Sequence, residues 1–117
     1  MFDKKKDDWA VVENKALYYL SSVGLKGKEK NRPSELSGGE LRRAEIARLL
    51  ILDNDIMILD EPTSGMDEEC IEILNNIFKE LKKENKTIIV STHDERVITN
   101  IVDRIYMMKN GKIYEKV

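Results

Sequence analysis

The sequence predicts an α/β fold in which a mostly parallel sheet carries flanking helices and ends in a C-terminal hairpin. Three observations point there. Two short runs, "IMIL" at 56–59 and "TIIVS" at 87–91, are too short for helices and apolar at their centres, as expected of strands buried on both faces of a parallel sheet. Between them, residues 68–84 place Ile71, Leu74, Ile77, Phe78 and Leu81 on one helical face, which makes a strand–helix–strand crossover, right-handed by general expectation. Last, "RIYMMKNGKIYEKV" sets Asn110-Gly111 between two strand-like segments, the pair that suits a type I′ hairpin turn.

The remaining elements follow in chain order. "WAVVENKALYYLSSVG" repeats Trp9, Val12, Ala16, Leu20 and Val23 at helical spacing and ends on Gly24, a C-terminal cap. "LKGKEKNRPSE" is polar and punctuated by Gly27 and Pro33, which reads as a connecting loop. From Glu40 to Leu52, apolar residues return at Leu41, Ala44, Ala47, Leu50 and Ile51 with arginines between them, so a second helix is expected before "DND" at 53–55 breaks the pattern. "HDERVITNIV", after the second strand, reads as a short helix.

Composition narrows the function classes. With 117 residues, 41% apolar and 36% charged, the chain has the material for one domain with a modest core. It has no apolar run near the roughly 20 residues that span a bilayer, so a soluble protein is expected. Twenty basic and 22 acidic residues are interleaved, for a net charge of −2, which is unlike the one-sided basic surface of a nucleic-acid binder. The single Cys70 excludes an internal disulfide, and "MFDKKKDDWAVVENK" lacks the apolar stretch of a secretory signal; a reducing cytoplasm is the expected setting.

Three stretches can carry chemistry. In "LSGGE", Ser37 and Glu40 have the spacing of a capping box, which by itself only starts a helix well. The other reading is a phosphate site, because Gly38 and Gly39 would let a large anion approach the free N–H groups of a helix start, where the helix dipole favours negative charge. "IMILDE" delivers Asp60 and Glu61 to the C-terminal end of a strand, where ligands collect in parallel sheets. Adjacent acids on an extended chain point in different directions, so one can face a magnesium ion and the other an attacking water. "STHDE" sets His93, the sole histidine, after the second strand and on the same sheet edge. A strand ending in two acids and a single histidine are each compatible with a purely structural role.

Together these stretches resemble the ATP-binding-cassette (ABC) family of ATPases. "LSGGE" looks like its signature loop, "IMILDEP" its Walker B strand, "TSGMD" its D-loop, and "STHD" its switch histidine. The resemblance implies a P-loop NTPase-like fold, with residues 1–35 the remnant of the helical subdomain and residues 36–117 the C-terminal half of the ATPase core. It implies ATP and Mg2+ as ligands. Ser37, Gly38, Gly39 and Glu40 would contact the γ-phosphate of ATP held by an opposite subunit, Asp60 would hold Mg2+, and Glu61 would polarise the attacking water. His93 would contact the γ-phosphate and position that water, and Asp67 would link the two sites of a dimer. Arg43 matches the arginine that follows the family signature, whereas Glu45 stands where the family more often has a small apolar residue.

No G-x-x-x-x-G-K-[ST] string occurs, and "GLKGK" at 24–28 has the wrong spacing. The chain is therefore expected to be the signature and Walker B half of a transporter's ATP-binding subunit, incompetent alone. Its expected partners are a P-loop-bearing half or second nucleotide-binding domain and transmembrane transporter subunits, through which it would sit at the inner face of the cell membrane. The missing strand would lie between the histidine strand and the strand at 104–108, leaving edges unpaired. Two alternatives carry different functions: the C-terminal lobe of a DNA-repair or chromosome-maintenance ATPase, and a non-catalytic interaction module that keeps the motif residues as fold elements.

Overall fold

A computed structural model describes residues 9–96 and 101–116. Helix α1 spans Trp9–Ser22, and a 3₁₀ turn at Pro33–Glu35 leads into α2, Gly38–Leu52. Strand β1 (Ile56–Asp60), helix α3 (Glu68–Lys83) and strand β2 (Thr87–Ser91) follow, and β3 (Ile105–Lys109) and β4 (Lys112–Lys116) close the chain. Each expected helix through α3 is present within two residues of its expected start. The short helix expected at 93–102 falls partly on residues 97–100, outside those described.

The end of α1 shows why Gly24 belongs there. Its φ of +79° is left-handed, the Leu25 N–H donates to Leu20 O at 2.8 Å, and the Gly24 N–H donates to Ser21 O at 3.0 Å, the paired bonds of a Schellman cap. That reversal buries Val23 and Leu25 against α2. The core they enter contains Ile46, Ala47 and Leu50 of α2, Met57 of β1, Met66, and Ile71, Leu74, Phe78 and Leu81 of α3. The α3 stripe is the one its spacing predicts, with Ile77 half-buried at its margin. On α2, Ile46 joins the expected Ala47 and Leu50, whereas Leu41 is exposed. Trp9, the first member of the α1 stripe, is 73% exposed, because the stripe meets α2 only toward its C-terminal end.

Strands β1 and β2 pair in parallel, Ile56 opposite Thr87 through Asp60 opposite Ser91. The expectation of burial on both faces is not met among the described residues. Met57, Leu59, Ile88 and Val90 face the core, but their alternates do not: Ile58 is 72% and Ile89 53% exposed, directly opposite each other on the other face. A parallel strand needs a layer on each side to hide both sets of side chains, and the described residues supply one layer, from α3 and α2.

β3 and β4 form an antiparallel hairpin with Asn110 at φ 51° and Gly111 at φ 72°, the two positive values a type I′ turn demands. The hairpin shares no ladder with β1–β2, so the described residues hold two separate two-stranded sheets. Among the described residues no helix is long and apolar enough to cross a membrane.

Candidate active site

The parallel register brings Asp60 and Ser91 side by side at the C-terminal end of the sheet, where the Ser91 hydroxyl donates to Asp60 Oδ1. Glu61 then departs from strand geometry at φ 46° while its N–H still donates to Ser91 O at 2.8 Å. Glutamate, and any residue before a proline, favours an extended backbone, so Glu61 is strained, on the order of 1–3 kcal/mol. Two tight turns carry the chain on, Ser64 N–H to Glu61 O at 3.2 Å and Met66 N–H to Thr63 O at 3.0 Å. They deliver Asp67 as the N-cap of α3, its Oδ1 accepting from Cys70 N–H at 2.9 Å. Donation from the Cys70 thiol and amide holds the Asp67 carboxyl below its ordinary value, while burial pushes the Cys70 thiol up.

His93 leaves β2 two residues past the strand end, with Nε2 3.5 Å from Glu61 Oε1. Its side chain is 99% exposed and that of Glu61 36%. Two polar atoms at this separation can both reach one oxygen atom placed beside them, the arrangement needed to orient a water and take its proton. The pairing is buttressed from beneath. Buried Thr63 donates to Asp94 Oδ2 at 3.1 Å, and Asp94 also accepts from Arg96 Nη2 at 2.8 Å, Nε at 2.9 Å and N–H at 3.0 Å. The Arg96 guanidinium holds the Asp94 carboxyl down to about 2. The turn after β1 is thereby fastened to the turn after β2, two residues beyond Glu61 and one beyond His93.

The second part of the site is the start of α2. Ser37 Oγ accepts from Glu40 N–H at 3.1 Å and Glu40 Oε1 accepts from Ser37 N–H at 3.1 Å, a complete capping box. Lys28 bonds the other Glu40 oxygen, and with the Ser37 bonds it holds this carboxyl at about 2. The two glycines differ. A Cβ at Gly39 would lie 3.0 Å from Gly65 O, so a side chain there would crowd that carbonyl. A Cβ at Gly38 would meet nothing within 4 Å, so neither packing nor the capping box accounts for Gly38.

The structure thus gathers Asp60, Glu61 and His93 at one sheet edge. Ser37, Gly38, Gly39 and Glu40 sit apart from them, with Gly39 approaching the same loop at Gly65, and among the described residues no hydrogen bond or ion pair joins the two groups. Arg42 and Arg43 link α2 to its surroundings. Arg42 Nη2 donates to Asp60 O at 2.8 Å and Glu61 O at 2.9 Å, and Arg43 Nη1 donates to Val23 O at 2.8 Å at the end of α1. Sequence alone does not single out Arg42. Arginines between apolar positions of a helix read as a solvated face, and only the position of β1 reveals its targets. Glu45, where the family pattern differs, is exposed and pairs with Arg42 at 3.1 Å, so it does not disturb α2.

Asp60 is exposed, and among the described residues no group of three or more His, Cys, Asp or Glu side chains could hold a metal. A lone carboxylate suits Mg2+, which keeps several waters and takes one or two protein carboxylates alongside substrate phosphates.

Comparison with known proteins adds a consistent picture. A family model described as "ABC transporter" matches residues 3–64. A putative ABC transporter ATP-binding protein of Pyrococcus furiosus is 39% identical over 102 residues, covering 87% of this chain and 39% of that protein. A methionine import ATP-binding protein of Staphylococcus epidermidis is 43% identical over 107 residues, covering 91% of this chain and 31% of that protein. Among solved structures, a dimeric ATP-binding cassette in a post-hydrolysis state with ADP and Pi superposes with TM-score 0.83 at 28% identity, covering 96% of this chain and 50% of that one. The chain therefore spans between about a third and a half of the length of these proteins.

Proposed function

The chain belongs to the ABC transporter family, and from that premise we propose that it forms the signature and Walker B half of a cassette that hydrolyses ATP to drive transport across a membrane. The observation that carries the proposal is the 3.5 Å approach of His93 to Glu61 at the C-terminal ends of two paired parallel strands, with Asp60 beside them. Glu61 is the general base: its carboxylate takes a proton from the water that attacks the γ-phosphate, and His93 orients that water and contacts the phosphate. Asp60 is the residue that would hold Mg2+, which when bound neutralises charge on the phosphates.

Gly38 supports a phosphate-docking role for the α2 start, since its missing side chain has no packing partner to explain it. Ser37, Gly38, Gly39 and Glu40 would meet the γ-phosphate of a nucleotide on an opposite cassette, and Asp67 would link the two sites. Residues 1–35 form the remnant of a helical subdomain and 36–117 the core half. The partners are a P-loop-bearing half or second nucleotide-binding domain and transmembrane subunits, which hold the assembly at the cytoplasmic face of the membrane. The exposed Ile58 and Ile89 face offers the P-loop half an apolar surface to cover.

These 117 residues alone lack a P-loop and should neither bind ATP–Mg at micromolar concentration nor hydrolyse it. Phosphate-release assays of the chain with and without a P-loop-bearing half test the proposal. Hydrolysis in the mixture alone supports it; silence in a mixture that forms a stable complex refutes it, and favours the non-catalytic interaction module.

A further inference from the structure

We propose that Arg42 is a positioning residue for Glu61, and that through it the start of α2 and the acidic pair at the end of β1 move as one unit; this rests on Glu61 being the catalytic base. Arg42 lies in the second turn of α2, the helix that begins at Gly38. A single guanidinium nitrogen, Nη2, donates to the main-chain oxygens of both Asp60 and Glu61, at 2.8 and 2.9 Å. Its other terminal nitrogen, Nη1, is held by Glu45 at 3.1 Å on the same helix, so the guanidinium is fixed from behind as well as in front.

The carbonyls it holds bracket the one strained peptide of the site. Glu61 keeps φ at 46° although it is neither glycine nor asparagine and precedes Pro62. Such a backbone persists only where its surroundings fix it. The Glu61 N–H is fixed by Ser91 O and its carbonyl by Ser64 N–H at 3.2 Å together with Arg42. Of these anchors only Arg42 is charged, and charge-assisted bonds are the stronger kind. Releasing it frees the Asp60–Glu61 peptide to relax toward an extended form, which swings the Glu61 carboxylate away from His93. Because Ser37, Gly38 and Gly39 ride on the same rigid helix, a shift of α2 under a bound phosphate pulls on the same two carbonyls.

The experiment compares Arg42→Met, which keeps the aliphatic bulk without the donors, and Arg42→Lys, which restores a cationic donor, in the chain assembled with its P-loop-bearing half. Arg42→Met should lower kcat on the order of 10- to 100-fold with KM for ATP unchanged, and Arg42→Lys should recover part of the loss. In a Glu61→Gln background Arg42→Met should cost nothing further. Full additivity in that background, an unchanged kcat, or a fall in Tm with kcat intact would overturn the proposal. A second readout does not depend on ATP: carbon chemical shifts at Glu61 in the 117-residue chain should leave the left-handed range in Arg42→Met, and shifts that stay put would also overturn it. If the native assembly hydrolyses no ATP while these shifts respond, the assignment of Glu61 as base fails and its positioning by Arg42 stands.

Discussion

Gly38 and Gly39 are neighbours with opposite reasons for being glycine. A side chain at Gly39 presses on Gly65 O at 3.0 Å, whereas one at Gly38 enters open space. Gly39→Ala should therefore destabilise the chain by about 1–3 kcal/mol through overpacking, and Gly38→Ala should leave it unchanged or stabilise it by up to about 1 kcal/mol through helix propensity. Thermal melts check both. In an assembled dimer, Gly38→Asp tests the phosphate reading cleanly. It should abolish ATP-dependent dimerisation in size-exclusion chromatography while leaving the melt intact, since an acid in a helix's first turn is favourable. The capping box was legible because Ser37 and Glu40 are near in sequence; the Gly39–Gly65 approach was not, because only folding makes it. Acid sensitivity also belongs to single residues. Glu40 and Asp94 are depressed from 4.5 and 3.8 to about 2, by Lys28 and Arg96 respectively. Their stabilisation is complete above the unfolded values near 4 and is lost as pH falls through that range toward about 2. Denaturant midpoints measured from pH 5 to pH 2 should fall less steeply for Asp94→Asn than for the native chain.

Helices were the most legible elements, because α3 carries its buried stripe on one face and α2 its capping residues in plain order. The Trp9–Val23 stripe reads equally well, yet its first turn finds no layer to pack on, and spacing alone says which face is apolar, not what stands opposite. The join between α1 and α2 depends on Gly24. At φ +79°, and with Arg43 Nη1 only 2.8 Å from where a Cβ would sit, it accepts no side chain without displacing the arginine that bonds Val23 O. Gly24→Ala should cost about 1–2 kcal/mol from the left-handed backbone alone, and more if Arg43 loses its carbonyl. A fall in Tm matched by a loss of protection from hydrogen exchange at Val23 and Leu25 would show that the cap and not a distant effect is responsible. The hairpin's turn was legible to the residue, since Asn110-Gly111 names it.

At the scale of the molecule the described residues hold two separate sheets, and the open face of β1–β2 accounts for the main departure from what the sequence predicts. Apolar residues at every position of "IMIL" do signal burial on both faces, and the described residues cover only one. Ile58 and Ile89 should therefore be replaceable by lysine with little change in far-UV circular dichroism or Tm, while binding of a P-loop-bearing half is lost; a drop in Tm would place them in the chain's own core. The family, the acid pair and the histidine were readable because motif order survives in sequence, whereas Arg42 became visible only when α2 and β1 were seen together. The central claim is that Glu61 is the base of an ATP-hydrolysing site. Single-turnover hydrolysis in an assembly carrying Glu61→Gln, measured beside nucleotide binding to the same sample, tests it most directly. Binding should persist while turnover falls about 10²- to 10⁴-fold; turnover equal to that of the native assembly would contradict the claim.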